Sequence, residues 1–154
     1  MTQRTNFDIL IVDDDATTIR VLSRILNEFA PLRFATSGQM ALKLARDVDA
    51  VALPVLTFSS VLSDDDLVAI LREGAETKQV AIARRDGISE TVSRVIASEA
   101  AVGAVAVLMA NETAVIPEDA FGTAMDRFAD EEQVTGAMVR RGKLPISISE
   151  RLVS

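Results

Sequence analysis

Cysteine, histidine, tryptophan and tyrosine are all absent from these 154 residues, and phenylalanine alone supplies the 4% aromatic share. Such a chain cannot assemble a disulfide, a zinc site, a thiolate nucleophile or a Ser-His triad. No run of about 18 or more apolar residues occurs, so no membrane span is expected. Arg4, Asn6 and Asp8 interrupt any signal-peptide core, which makes a cytoplasmic protein the default expectation. Positive charge is also in deficit. The net charge is −7 and the pI about 4.6, which disfavours the phosphates of nucleic acid and anionic membrane surfaces. Another protein with a basic surface suits it better. Glycine-rich phosphate loops are missing too. These gaps together point to a non-enzymatic function with no cofactor.

What the chain does have is aliphatic residues in a repeating order. It is 49% hydrophobic, built from Ala, Val, Leu and Ile, which suits close helix packing. Its length allows one domain or two very small ones. In the C-terminal half, Ala81-Ile82-Ala83-Arg84-Arg85 falls in step with Met109-Ala110-Asn111-Glu112-Thr113 and with Ala137-Met138-Val139-Arg140-Arg141, a period of 28 residues. Ile88-Ser89, Ile116-Pro117 and Leu144-Pro145 follow in the same phase, as do Val92, Ala120 and Ile148. A repeated supersecondary unit cannot bury its apolar face alone, so stacked copies must form one another's core.

Ahead of the repeats, Phe7 to Val12 is a short apolar run that reads as a buried parallel strand ending in Asp13-Asp14-Asp15. Ile19, Leu22, Ile25, Leu26 and Phe29 follow at helical spacing, with Asp15 or Thr17 able to cap. Leu32 to Ala35 reads as a second strand, and Gly38 opens a second helix through Met40, Leu42, Leu44 and Ala45. This β-α-β-α order implies parallel pairing. Val51 to Leu56 fits either a third strand or the first helix of a degenerate repeat. Short helices are expected near 64–73, 75–84, 90–98, 100–111, 118–129, 131–141 and 147–153, with Pro117 and Pro145 at first helical positions.

Several clusters invite a chemical reading. Asp13 and Asp14 offer a weak Mg²⁺ site, or an acid cluster at a helix start, where carboxylates suit the dipole. Asp64-Asp65-Asp66 lacks the alternating ligands and central glycine of a calcium loop and reads as a helix first turn. Glu118, Asp119 and Asp126, with Asp130-Glu131-Glu132, show no pocket that would split their pKa values, and read as a first-turn pair and a solvated face. Arg84-Arg85 and Arg140-Arg141, two periods apart, sit near helix C-termini, where cations complement the dipole. They also share a phase along which they can line one edge and grip carboxylates or phosphates.

Two resemblances follow from these phrases. Phe7-Asp8-Ile9-Leu10-Ile11-Val12-Asp13-Asp14-Asp15, with Arg33-Phe34-Ala35-Thr36-Ser37-Gly38 and Ala41-Leu42, resembles the first half of a bacterial response-regulator receiver domain of the diguanylate-cyclase-linked type, over about residues 7–53. That resemblance implies Mg²⁺ at Asp13 and Asp14, but Pro54 stands where the phosphoacceptor aspartate belongs, leaving Asp47 or Asp49 as substitutes. Val51 to Leu56, Val61-Leu62-Ser63, Ala81 to Arg85 and Leu144-Pro145 through Val153 resemble a bacterial helical-repeat domain of unknown function, HEAT-like, over about residues 51–154. It implies an interaction module and supplies no catalytic residues.

The expected fold is mainly α: a short βαβα receiver-like unit over residues 1–50, then an α-solenoid with a 28-residue period over 51–154. The expected function is that of a bacterial regulatory or adaptor protein binding another protein. Alternatives are an acidic neutralising protein of antitoxin or inhibitor type, and a metal- or phosphorylation-responsive receiver variant. Partner contact is expected at Arg84, Arg85, Arg140 and Arg141, and at Leu152 and Val153 in the last hairpin.

Overall fold

The computed structural model describes residues 9–28, 31–45 and 49–153. Phe7, Asp8, Phe29 and Asp47, named above, lie outside them. Two compact units divide the chain, Met1–Ser63 and Asp64–Ser154.

In the first unit, β1 (Ile9–Val12) and β2 (Leu32–Ala35) pair in parallel, with Ile9 opposite Leu32 and Val12 opposite Ala35. β-branched residues favour this pleat, and Ile11 and Ala35 are buried. Helix α1 (Ala16–Leu26) joins the strands and buries Ile19. It starts at Asp15, whose carboxylate accepts the backbone N–H groups of Thr17 at 2.9 Å and Thr18 at 3.2 Å. Asp15 is thus the cap, and Thr17 is not. Helix α2 (Gly38–Ala45) packs against α3 (Asp49–Phe58). The stretch from Val51 to Leu56, open between strand and helix in the sequence, is therefore helical. Ala52, Val55 and Leu56 are buried at the three- and four-residue spacing of one helix face. Pro54 stands exposed within the helix.

The second unit is a two-row stack of short helices: α4 (Asp64–Glu73), α5 (Glu76–Ala83), α6 (Glu90–Glu99), α7 (Val102–Ala110), α8 (Glu118–Phe128), α9 (Glu132–Arg140) and α10 (Ile146–Leu152). Each expected helix is present within two residues of its expected ends. One row runs α4-α6-α8-α10 and the other α5-α7-α9, each helix touching the next in its own row. Starts at Glu90, Glu118 and Ile146 reproduce the 28-residue period. The core between the rows holds Ile70, Ile82, Val92, Ile96, Leu108, Met109, Phe121, Val134 and Met138, all 2% exposed or less. Helix α7, Val102-Gly103-Ala104-Val105-Ala106-Val107-Leu108-Met109-Ala110 by position, is apolar on every side because it lies between α5 and α9 and faces the other row as well.

 Pro117 and Pro145 are the residues just before α8 and α10, one step earlier than the first helical position expected of them. Their φ values of −75° and −56° suit a helix entry, but ψ values of 158° and 144° keep both extended. Gly87, at φ 66°, makes the left-handed turn between α5 and α6 that a side chain would strain. Among the described residues, no helix is long and apolar enough to cross a membrane.

Candidate partner-binding edge

The four arginines of the sequence reading sit at the C-terminal ends of α5 and α9, where the chain leaves one row for the other. Arg84 is the exposed C-cap of α5, and Arg140, also exposed, closes α9. Arg85 is half-buried. Burial lowers its guanidinium pKa from the ordinary value, with the Asp64 carboxylate opposing that shift.

Arg141 behaves differently from the dipole-complementing cation expected of it. Its Nη1 donates to the carbonyls of Met109 at 3.2 Å and Asn111 at 2.7 Å, and its Nη2 to the carbonyl of Ala114 at 3.0 Å. The guanidinium also lies 5.8 Å from the centroid of the Phe121 ring. It therefore satisfies the open end of α7, one repeat back, rather than its own helix. A planar fork with five donors suits a cluster of backbone carbonyls. Arg141 is part of the scaffold, which leaves Arg84 and Arg140 as the outward cations of this edge.

Asn111 repeats the device. Its side-chain Nδ2 donates to the carbonyls of Ala83 at 3.0 Å and Arg85 at 2.8 Å, at the end of α5. Backbone and side-chain bonds between successive loops complete the edge. Val115 N–H reaches the Ile88 carbonyl at 2.9 Å, Gly87 N–H the Thr113 hydroxyl at 3.2 Å, and Gly142 N–H the Glu112 carboxylate at 3.2 Å. The last carbonyls of a helix have no partner within it, and here the next repeat supplies one.

The other row is laced in the same sense. Arg72 forks onto Glu99 with both bonds at 3.0 Å, Arg94 meets Asp119 at 2.8 Å, and Arg151 meets Asp126 at 2.6 Å. Ser89, the cap of α6, donates to Asp64 at 2.6 Å, and Ser147 donates to Glu118. Arg127 donates to the carbonyls of Ala97 at 2.6 Å and Ala100 at 2.9 Å, closing α6. In the hydrogen bond with Arg72, the Glu99 carboxyl is held below its ordinary pKa, as is that of Asp119 by Arg94. Asp64, Glu118, Asp119 and Asp126 are thus ties between repeats. The sequence reading missed Arg72, Arg94, Arg127, Arg151, Asn111 and Ser89. Their partners lie 25 to 30 residues away, so a search for complementary groups about one period apart would have found most of them.

Asp13 and Asp14 follow β1 in the first unit. The Asp13 carboxylate accepts the Asp15 N–H at 2.8 Å, and Asp14 is exposed. Among the described residues, no three carboxylates gather as a metal-binding group. Two neighbouring acids would hold Mg²⁺ only with several waters completing its octahedron. Leu152 is half-buried in the last turn of α10, and Val153 beyond it is 87% exposed.

The second unit is thus a helical-repeat scaffold whose polar side chains bind repeat to repeat. The chain belongs to the bacterial family DUF2336, described as an uncharacterised protein conserved in bacteria, whose profile matches residues 51–154. No curated protein and no solved structure matches it. The family segment includes α3, which packs with α2 in the first compact unit.

Proposed function

We propose that this protein is a non-enzymatic bacterial regulatory or adaptor protein that binds another protein through the surface of its helix stack. The observation that carries the reading is the division of labour among its polar groups. Arg72, Arg94, Arg127, Arg141 and Arg151 hold neighbouring repeats together, so the surface they support is fixed before a partner arrives. Pre-ordering of this kind lowers the entropic cost of association. Arg84 and Arg140 stand outward on one edge, and Val139 beside Arg140 is 66% exposed. An arginine next to an exposed aliphatic residue suits a protein contact. The overall charge of −7 draws a partner with a basic surface toward the protein, and carboxylates on that partner pair locally with Arg84 and Arg140.

The test is affinity capture from the native host with the tagged chain, beside the variant Arg84→Glu/Val139→Asp/Arg140→Glu. One stoichiometric protein retained by the natural chain and lost by the folded variant is the expected result. Equal capture by both would remove this edge from the interface, and no stoichiometric protein with either would remove the binding-module reading.

A second reading is favoured by the acids at the C-terminal end of β1 and by the parallel β1-α1-β2-α2 order. It is a receiver variant that responds to Mg²⁺ or phosphate through Asp13 and Asp14, with Asp47 or Asp49 as acceptor. Incubation with acetyl phosphate and Mg²⁺ followed by intact mass measurement decides it: one added phosphoryl group supports it, and an unchanged mass rejects it.

A further inference from the structure

Among the described residues, the two-stranded sheet has one unpaired side of β1 with defined hydrogen-bonding chemistry. Ile9 N–H donates to the Pro31 carbonyl at 2.9 Å and Asp13 N–H to the Ala35 carbonyl at 3.1 Å. In a parallel ladder the residues alternate, so Ile9, Ile11 and Asp13 face β2 with their backbone groups while Leu10 and Val12 turn theirs the other way. No described residue bonds to the backbone of Leu10 or Val12 on that side. Val12 there lines an apolar cleft of about 250 Å³ together with Pro54, Val55, Phe58 and Ser59 of the α3 region. Phe58 forms its rim at 83% exposure. Asp13 and Asp14 stand at the end of the same strand.

We propose that the outer edge of β1 accepts a third strand from a partner protein: an extended segment with alternate apolar residues and a lysine or arginine where it passes Asp13 and Asp14. The row of N–H and C=O groups without a partner among the described residues selects extended backbone, because only a strand can match its spacing. The cleft beside α3 takes the apolar side chains that point to its side. The charge at the strand's end selects the basic residue. It also disfavours a second copy of this chain as the occupant, since the Ile9-Leu10-Ile11-Val12 edge carries no cation to set against Asp13 and Asp14. This interface lies in the first unit and goes beyond the helix-stack edge proposed above.

The probe is a fluorescent octapeptide alternating valine and threonine with two lysines at one end, compared with the same peptide ending in two glutamates, both added to the full chain. Hydrogen exchange and anisotropy read the outcome. The amides of Leu10 and Val12 should gain protection with the lysine peptide, while that of Ile11, already bonded to β2, should not change. The lysine peptide should bind roughly fivefold more tightly than the glutamate peptide at low salt. Asp13→Asn/Asp14→Asn should erase that preference, and Val12→Pro, which removes only an outward N–H, should weaken binding about tenfold. If Val12→Pro does not fold, the exchange pattern of the natural chain decides alone. Unchanged Leu10 and Val12 amides, or equal binding of the two peptides, would overturn the proposal. So would protection of those amides that rises with protein concentration in the absence of peptide, which would identify a second copy as the occupant.

Discussion

Asp13, Asp15, Ser37 and Thr57 in the N-terminal unit bond to residues two to four positions away, whereas Arg72, Arg94, Arg127 and Arg141 in the helix stack reach across a whole repeat. Asp13 and Asp15 bind the turn they sit in. Arg141, by contrast, bonds to carbonyls 27 to 32 residues back in the chain. Local bonds shape a turn but tie no two elements together. Among its described residues the N-terminal unit buries a few aliphatics and leaves Val21, Ile25, Phe34 and Phe58 about half exposed or more. The stack adds a second kind of cohesion to its apolar core, because each repeat completes the hydrogen bonding of the one before it.

The largest effect is expected from the core of the stack. Phe121→Ala, at a ring 2% exposed and flanked by Arg141, should cost about 3–5 kcal/mol in denaturant unfolding. Next comes the tie itself. Arg141→Met keeps the aliphatic stem but leaves the carbonyls of Met109, Asn111 and Ala114 without their donor, for a loss of about 2–3 kcal/mol. Arg24→Met on α1 should change stability by less than about 0.5 kcal/mol. Equal losses at the two positions would erase the contrast between the regions.

A smaller effect of opposite sign is expected inside the stack. Ser93 is fully buried in α6 and its hydroxyl has no hydrogen-bond partner among the described residues. Ser93→Ala should stabilise the protein by about 1 kcal/mol, seen as a higher unfolding midpoint at unchanged denaturant slope.

The smallest effect sharpens the comparison through acid and salt. Glu99 and Asp119 have lowered folded-state pKa values because of Arg72 and Arg94, and Asp15 has one because of the Thr17 N–H and then the Thr18 hydroxyl. A depressed carboxyl pKa contributes stability above its unfolded value, and that contribution disappears as pH falls through the folded value. All three should therefore stabilise fully at neutral pH, with the pH dependence of that contribution confined to the acid end of the carboxylate range. High salt should raise the Glu99 and Asp119 values toward the ordinary carboxylate range, because their partners are charged, and leave Asp15 where it is. Carboxyl titration by NMR with and without 1 M salt, a concentration at which the screening length falls to about 3 Å, measures this directly.

The repeat was legible in the sequence because burial fixes it: Val92, Ala120 and Ile148 recur in phase and are all buried. Strand β1 was legible from its β-branched run and helix α1 from its acidic cap. The stretch around Pro54 was not, because a uniformly apolar segment carries neither the alternation of a strand nor the stripe of a helix. The candidate edge was half legible. The phase shared by Arg84 and Arg140 put them on one edge, but nothing local to Arg141 shows that its fork belongs to α7. Likewise Asp64, Asp119 and Asp126 have every mark of solvated first-turn or surface acids until the hairpins are stacked and bring Ser89, Arg94 and Arg151 to them.

The direction of these ties gives the stack a polarity in time. Asn111 closes α5 and Arg141 closes α7, each from further along the chain, so a helix made on the ribosome waits for its closing donor. At synthesis rates of about 5–20 residues per second, one repeat takes roughly one to six seconds to appear. During that interval the newest finished hairpin has its end carbonyls in water, and it becomes fully closed only when its successor emerges. Assembly of the stack is therefore ratcheted from the N-terminal side, each repeat locking the one made before it.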